Sequence, residues 1–330
     1  MPRKKLTLAE KMAPIFRKYD DLMPALIKVN PKQYFPADYW APLKIYCLAS
    51  YVHTCYSKII GSRIENTYFI DLMSNSGINY VDPCKNCGEK EKCRDCRKKR
   101  KPKIYMVGST LVASTSKPPF KKIYFVDNDP EKVKTLSTRL DILKGNGFPE
   151  IDYQPIIGNC NEKIDEILSE IKGKKEEFRK YHILAFADNE GLDVEWKTIE
   201  KLLLSYCDLI INFPASNLNR VFGQPSSFNT KKLDAFFGCD VKNKVKDQSK
   251  LLELYCKRIK EIKPEVRVEA IRINTNIGYY YDLIIVAKDG EYWKYIENLK
   301  KNIEENSAQT VENIIPVITG QQKTLADFPR

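Results

Sequence analysis

The chain has 330 residues, 43% of them apolar and 30% charged, with 55 Lys and Arg against 43 Asp and Glu for a net charge of +12. That length accommodates about two domains or one large α/β domain, and the apolar share excludes a wholly disordered chain. No apolar stretch is long enough to span a bilayer, and the basic start MPRKKLTLAEKMAP lacks an apolar signal core, so the expectation is a cytoplasmic protein with no membrane contact.

Residues 1–66 read as a helical segment, because KLTLAEKMAPIFRKYDDLMPALIKV and WAPLKIYCLASYVHTCYSKII place apolar residues at three- and four-residue spacing. TYFIDLM then reads as a strand that ends at Asp71, followed by the polar loop Ser74-Asn75-Ser76-Gly77. Residues 82–103 form an insertion around CKNCGEKEKCRDC, in which Cys84, Cys87, Cys93 and Cys96 make two CxxC pairs. Each CxxC turn brings two sulfurs to one ion, and the short link lets the second pair close a tetrahedral shell. A structural Zn2+ follows from that spacing, with an iron–sulfur cluster as the alternative.

Between Lys85 and Lys103 there are ten Lys and Arg against three Asp and Glu. More than half of the net charge sits there, which points to a polyanionic partner such as RNA or DNA. Arg97, Lys98, Lys99, Arg100, Lys101 and Lys103 are the candidate phosphate contacts. The alternative is an insert whose charges only keep it solvated.

From residue 121 onward strands and helices alternate. IYFV leads into Asp127-Asn-Asp129, a helix N-cap with Pro130 at its first position. YQPII leads into Gly158-Asn159-Cys160-Asn161, and HILAFA leads into Asp188-Asn189-Glu190-Gly191. DLIINFP is a further strand; RVEAIRIN and YYYDLIIVAKDG read as an antiparallel pair. EYWKYIENLKKNIEEN closes residues 67–306, and 307–330 is a tail of undecided structure. This is the pattern of a doubly wound α/β sheet. Ligands of such sheets lie beyond the strands' carboxyl ends, so the polar strand ends are the candidate site. An acidic residue such as Asp127 at the second strand end suits the hydroxyls of a ribose.

The ordered set FIDLMSNSG, VGSTLVA, IYFVDND, GNCNEKI, FADNEGLDVEW, DLIINFP, FFG and YYYDLIIVAKD resembles the three-Cys-motif partner (TcmP) family, a branch of the Rossmann-type methyltransferases. The resemblance covers roughly residues 36–290. It implies binding of S-adenosylmethionine (SAM) by Asp71, Gly77, Asp127 and Asn159, and association with a radical-SAM protein partner. Asp188 and Glu190 stand where amino methyltransferases hold the substrate amine, which makes them the catalytic candidates. The chain departs from the family pattern at Ser74, Asn75, Ser76, Asn159 and Asn189. Two function classes follow: a SAM-dependent methyltransferase acting on nucleic acid, RNA favoured, or a non-catalytic nucleic-acid-binding or adaptor protein with a degenerate methyltransferase fold. Cys160 is a further, weaker nucleophile candidate, and Tyr279, Tyr280 and Tyr281 are candidates for stacking on a base.

Overall fold

The computed structural model describes residues 8–37, 41–81, 103–173, 181–189, 191–224, 226–274, 280–305 and 315. The strands in chain order are β1 (Phe35–Ala37), β2 (Asn66–Asp71), β3 (Ile78–Val81), β4 (Ile104–Val107), β5 (Lys122–Asp127), β6 (Tyr153–Ile157), β7 (Tyr181–Ala187), β8 (Cys207–Phe213), β9 (Val266–Asn274) and β10 (Tyr280–Lys288).

Seven of them form one sheet in the order β6-β5-β2-β7-β8-β10-β9. The pairings from β6 to β8 are parallel, and β10 is antiparallel to both β8 and β9. From β2 the chain moves outward to β5 and β6, then returns to β7 on the other side of β2. That reversal opens a crevice at the carboxyl ends of β2 and β7. The fold is Rossmann-like.

The alternation of side chains along each strand builds two cores. Phe69, Ile123, Phe125, Leu184 and Phe186 face the N-terminal helices Leu8–Phe16 and Ala41–Ser50, the helix Pro130–Gly145 and the closing helix Trp293–Glu305. Tyr68, Ile70, Tyr124, Val126 and Ala185 face the helices Cys160–Lys172, Trp196–Leu203, Ser227–Phe237 and Leu251–Ile262. β8 is buried along its whole length, as a strand covered on both faces must be.

The N-terminal region is tied to the sheet by polar contacts as well. Helix Ala41–Ser50 runs on as a wider π-type turn, Tyr51–Ile60. From it Tyr51 donates to Asp208 Oδ2 at 2.8 Å, and Tyr56 Oη lies 3.1 Å from His182 Nδ1. Burial raises the Asp208 carboxyl and lowers the His182 imidazole. Both shifts favour neutral forms, so their 3.6 Å approach is a polar contact rather than an ion pair. The buried Arg139 guanidinium donates to the carbonyls of Leu26, Gln33 and Ser76, and desolvation holds it down at about 10.

One part of the architecture differs from the reading of 1–66 as helical. β1 pairs in parallel with β3, and β3 pairs antiparallel with β4, giving a separate three-stranded sheet. β3 and β4 are the two chain segments that flank residues 82–102. Cys84, Cys87, Cys93 and Cys96, together with Arg97 to Lys101, lie outside the described residues, as does the tail beyond residue 315.

Gly77 adopts φ +83°, and a Cβ there would stand 2.5 Å from Leu136 Cδ1. Both the backbone conformation and the contact require glycine. Gly77→Ala is expected to cost about 1–3 kcal/mol of unfolding free energy, read by urea denaturation; a loss near zero would show that the loop re-forms around a methyl group.

Candidate functional site: a cleft at the strand ends

A cleft of about 820 Å³ opens at the carboxyl ends of the parallel strands. It is bordered by the loop after β2, by the residues after β5, β6 and β7, by Asn212 near the end of β8, and by Lys44, Lys232 and Tyr281. Its border carries Asp127, Asp129, Asp188, Asp193 and Glu195 against Lys44, Lys132 and Lys232. A cationic ligand is the better electrostatic match.

Asp127 organises one end. Its Oδ2 accepts from Asn75 N at 3.0 Å, and its Oδ1 accepts from Asp129 N at 2.9 Å. Each carboxylate oxygen has a second lone pair, so two acceptor positions remain for a ligand. Asn75 sits at φ 53°, a conformation Asn tolerates better than most residues with a Cβ. The turn is held by Ser74 N donating to Val126 O at 2.9 Å and by Ser76 Oγ donating to Gln33 O at 2.6 Å. The loop therefore keeps a glycine-like path without glycine at 75.

The other carried-over residues are distributed as follows. Asp71 is fully buried beneath the cleft, where its Oδ2 accepts from Ser109 Oγ at 2.5 Å and Thr110 Oγ1 at 2.7 Å. Gly77 shapes the loop through its backbone. Asn159 borders the cleft, and its Oδ1 caps the next helix by accepting from Asn161 N at 2.9 Å. Asp129 caps the helix Pro130–Gly145 as its sequence implied, accepting from Glu131 N. Cys160 is buried, and desolvation pushes its thiol up to about 12, which leaves almost no thiolate at neutral pH.

Asp188 borders the cleft; Glu190 lies outside the described residues. Lys44 Nζ approaches both Asp188 oxygens, at 2.7 and 2.6 Å. Asn212 Nδ2 donates to Asp188 Oδ1 and to the carbonyl of Asn189, each at 3.0 Å. Asp188 Oδ1 and the Asn189 carbonyl thus both accept from a side-chain amide of the neighbouring strand. Asn189 Oδ1 accepts from Val194 N at 3.0 Å, while Asn189 Nδ2 and Asn212 Oδ1 are buried with no partner among the described residues. Sequence reasoning missed Lys44, and missed that Asn212 contacts Asp188; the two reach Asp188 across 144 and 24 positions of chain. The strand end DLIINFP placed Asn212 near the crevice, and nothing local marked Lys44. Tyr281 borders the cleft, and Tyr280 Oη accepts from Asn219 Nδ2 at 2.7 Å. Tyr279 lies outside the described residues. Lys103 is exposed, its Nζ 4.0 Å from the centroid of the Tyr80 ring. Among the described residues no group of three or more His, Cys, Asp or Glu could hold a metal ion, and no helix is long and apolar enough to cross a membrane.

No protein-family model matches the chain, and no curated protein matches it. Solved structures do. A Legionella pneumophila protein of family DUF519 is similar at 12% identity and a TM-score of 0.48, over 85% of this chain and 93% of its own. Trm1 from Pyrococcus horikoshii, solved with SAM, is similar at 9% identity and 0.39, over 77% of this chain and 56% of its own. An O-methyltransferase from Bacillus cereus, solved with S-adenosylhomocysteine, is similar at 12% identity and 0.35, over 87% of this chain and 94% of its own.

Burial pushes the Asp71 carboxyl up to about 6, and its hydrogen bonds to Ser109 and Thr110 only partly offset this. A raised acid favours the folded state while protonated, so this contribution to stability is present at low pH and is lost as pH rises from the unfolded value near 4 through about 6. Asp71→Asn is therefore expected to be more destabilising at pH 4 than at pH 7, by about 2–3 kcal/mol. Urea unfolding of both proteins at the two pH values checks this, and an equal loss at both would mean Asp71 titrates normally.

Proposed function

We propose that the cleft binds SAM and that the protein is a methyltransferase acting on nucleic acid. The observation that carries the cofactor reading is Asp127. Its carboxylate stands at the end of the second strand of the parallel series, fixed by two backbone amides, with lone pairs left toward the cleft. The donor set fits the cofactor: Asp127 takes the ribose hydroxyls, the Gly158–Asn159 turn borders the base, and the acidic border favours a sulfonium cation.

When bound, SAM supplies an already activated methyl group, so the protein need only align the acceptor and exclude water. The tethered turn Ser74–Gly77 provides a fixed wall for the cofactor. Lys44 neutralises Asp188 and keeps it from repelling an anionic acceptor. A second reading has its own observation: Asn212 Nδ2 already occupies Asp188 Oδ1, the candidate acceptor for a substrate amine, together with the Asn189 carbonyl, as in a fold that has kept binding and lost amine transfer. Transfer of labelled methyl from SAM to total RNA or DNA separates the two.

The four cysteines support a Zn–S4 knuckle on spacing alone, and the basic run Arg97–Lys103 then serves as a phosphate-docking element. Binding of a radical-SAM protein partner is part of the three-Cys-motif partner resemblance.

Asp127→Ala is expected to weaken SAM binding by about 1–3 kcal/mol in calorimetry, with a melting curve to confirm that the variant is folded. Unchanged affinity would move the ribose site elsewhere. Elemental analysis of the purified protein should find about one zinc per chain; none, or visible iron–sulfur absorbance, would remove the zinc proposal.

A further inference from the structure

The cleft has a basic, aromatic rim on the side of the helices that follow β8. β8 ends at the cleft and is followed by three short helices, Ala215–Gly223, Ser227–Phe237 and Val241–Lys244, which pack on one another. From Arg220 to Lys263 the chain carries eleven Lys and Arg against five Asp and Glu. Together with the cysteine insertion, this is the second place where positive charge concentrates. Arg220, Lys231, Lys232, Lys242, Lys244 and Lys246 are all exposed. Among the described residues no carboxylate pairs with any of them within 4.0 Å, in contrast to Lys250, which pairs with Glu253.

Phe228 lies in this layer and is 65% exposed, an unusual placement for a large apolar ring. Lys232, one helical turn on, borders the cleft and holds its Nζ 5.2 Å from the Phe228 ring centroid. An open aromatic face thus stands beside the mouth of the cleft, next to unpaired cations.

We propose that this rim binds single-stranded nucleic acid, with one base stacked on Phe228 and the adjoining phosphates on Lys231 and Lys232. The inference rests on the reading of the cleft as a methyl-transfer site for nucleic acid and specifies how the strand reaches it. Stacking needs no particular base, because every nucleobase has a π face, and the lysines track the backbone. A duplex would bury its base faces and leave Phe228 without a role, so the geometry selects an unpaired strand. The exposed Leu204 and Tyr206, at the opposite end of β8, do not border the cleft and carry no such expectation.

The test is fluorescence anisotropy of the full chain with labelled single-stranded RNA, single-stranded DNA and duplex oligonucleotides. The expected results are preference for single strands and a loss of roughly ten-fold or more in affinity for Phe228→Ala. Phe228→Trp should restore binding. Changing Lys231 and Lys232 to Gln should flatten the dependence of log affinity on log salt by about 1.4, at ~0.7 per phosphate contact on a single strand. Equal binding by Phe228→Ala and the parent, or preference for duplex, would overturn the proposal. SAM calorimetry on the parent keeps the two readings apart. A flat titration with Phe228-dependent strand binding would remove the cofactor reading and leave the rim standing; SAM binding without strand binding would do the reverse.

Discussion

The site depends on one carboxylate used twice. Asp127 accepts the amide of Asn75 on one oxygen and the amide of Asp129 on the other, so it joins the loop after β2 to the end of β5. Backbone N–H groups in a crevice need partners, and here a single side chain satisfies two from neighbouring strand ends. Without it Asn75 would have less reason to keep its left-handed conformation, and the turn that leads to Gly77 would lose an anchor. The group proposed to hold the ligand is therefore also the group that braces the crevice.

The far end of the cleft is built on a different logic. Lys44 and Asn212 both converge on Asp188, so a helix from the N-terminal region and the neighbouring strand β8 share one carboxylate. The N-terminal helices are thus part of the site as well as part of the core. Tyr51 and Tyr56 fasten the same region to the sheet at other points, and Arg139 ties it to the helix Pro130–Gly145. Charge is unevenly spread around this frame: on the cleft border five carboxylates face three lysines, while cations gather on the helices beyond β8.

Much of the fold was legible because its signals are local. The runs IYFV, HILAFA and DLIINF are apolar and bounded by polar turns, and Asp129-Pro130 marks a helix start by capping chemistry that needs no tertiary context. The small sheet was not legible, since β1 and β4 are three and four residues long, too short to show a period. The site was legible in part. Polar strand ends brought Asp127, Asn159 and Asp188 together, as a doubly wound sheet requires. Asp71 carried the same strand-end signature yet lies beneath the cleft, because its partners Ser109 and Thr110 arrive from a helix that no local pattern links to it. Lys44 was hidden for the same reason, as was the contact of Asn212 with Asp188, and the solvent exposure of Phe228 is a property of packing alone.

The central claim is that Asp127 holds a nucleoside while still bracing the loop. A crystal structure of the full chain soaked with S-adenosylhomocysteine tests it most directly. The account predicts both ribose hydroxyls on the Asp127 carboxylate, with the Asn75 and Asp129 amides still donating to it. A ligand bound elsewhere, or a loop that must release Asp127 before the ribose can enter, would contradict it.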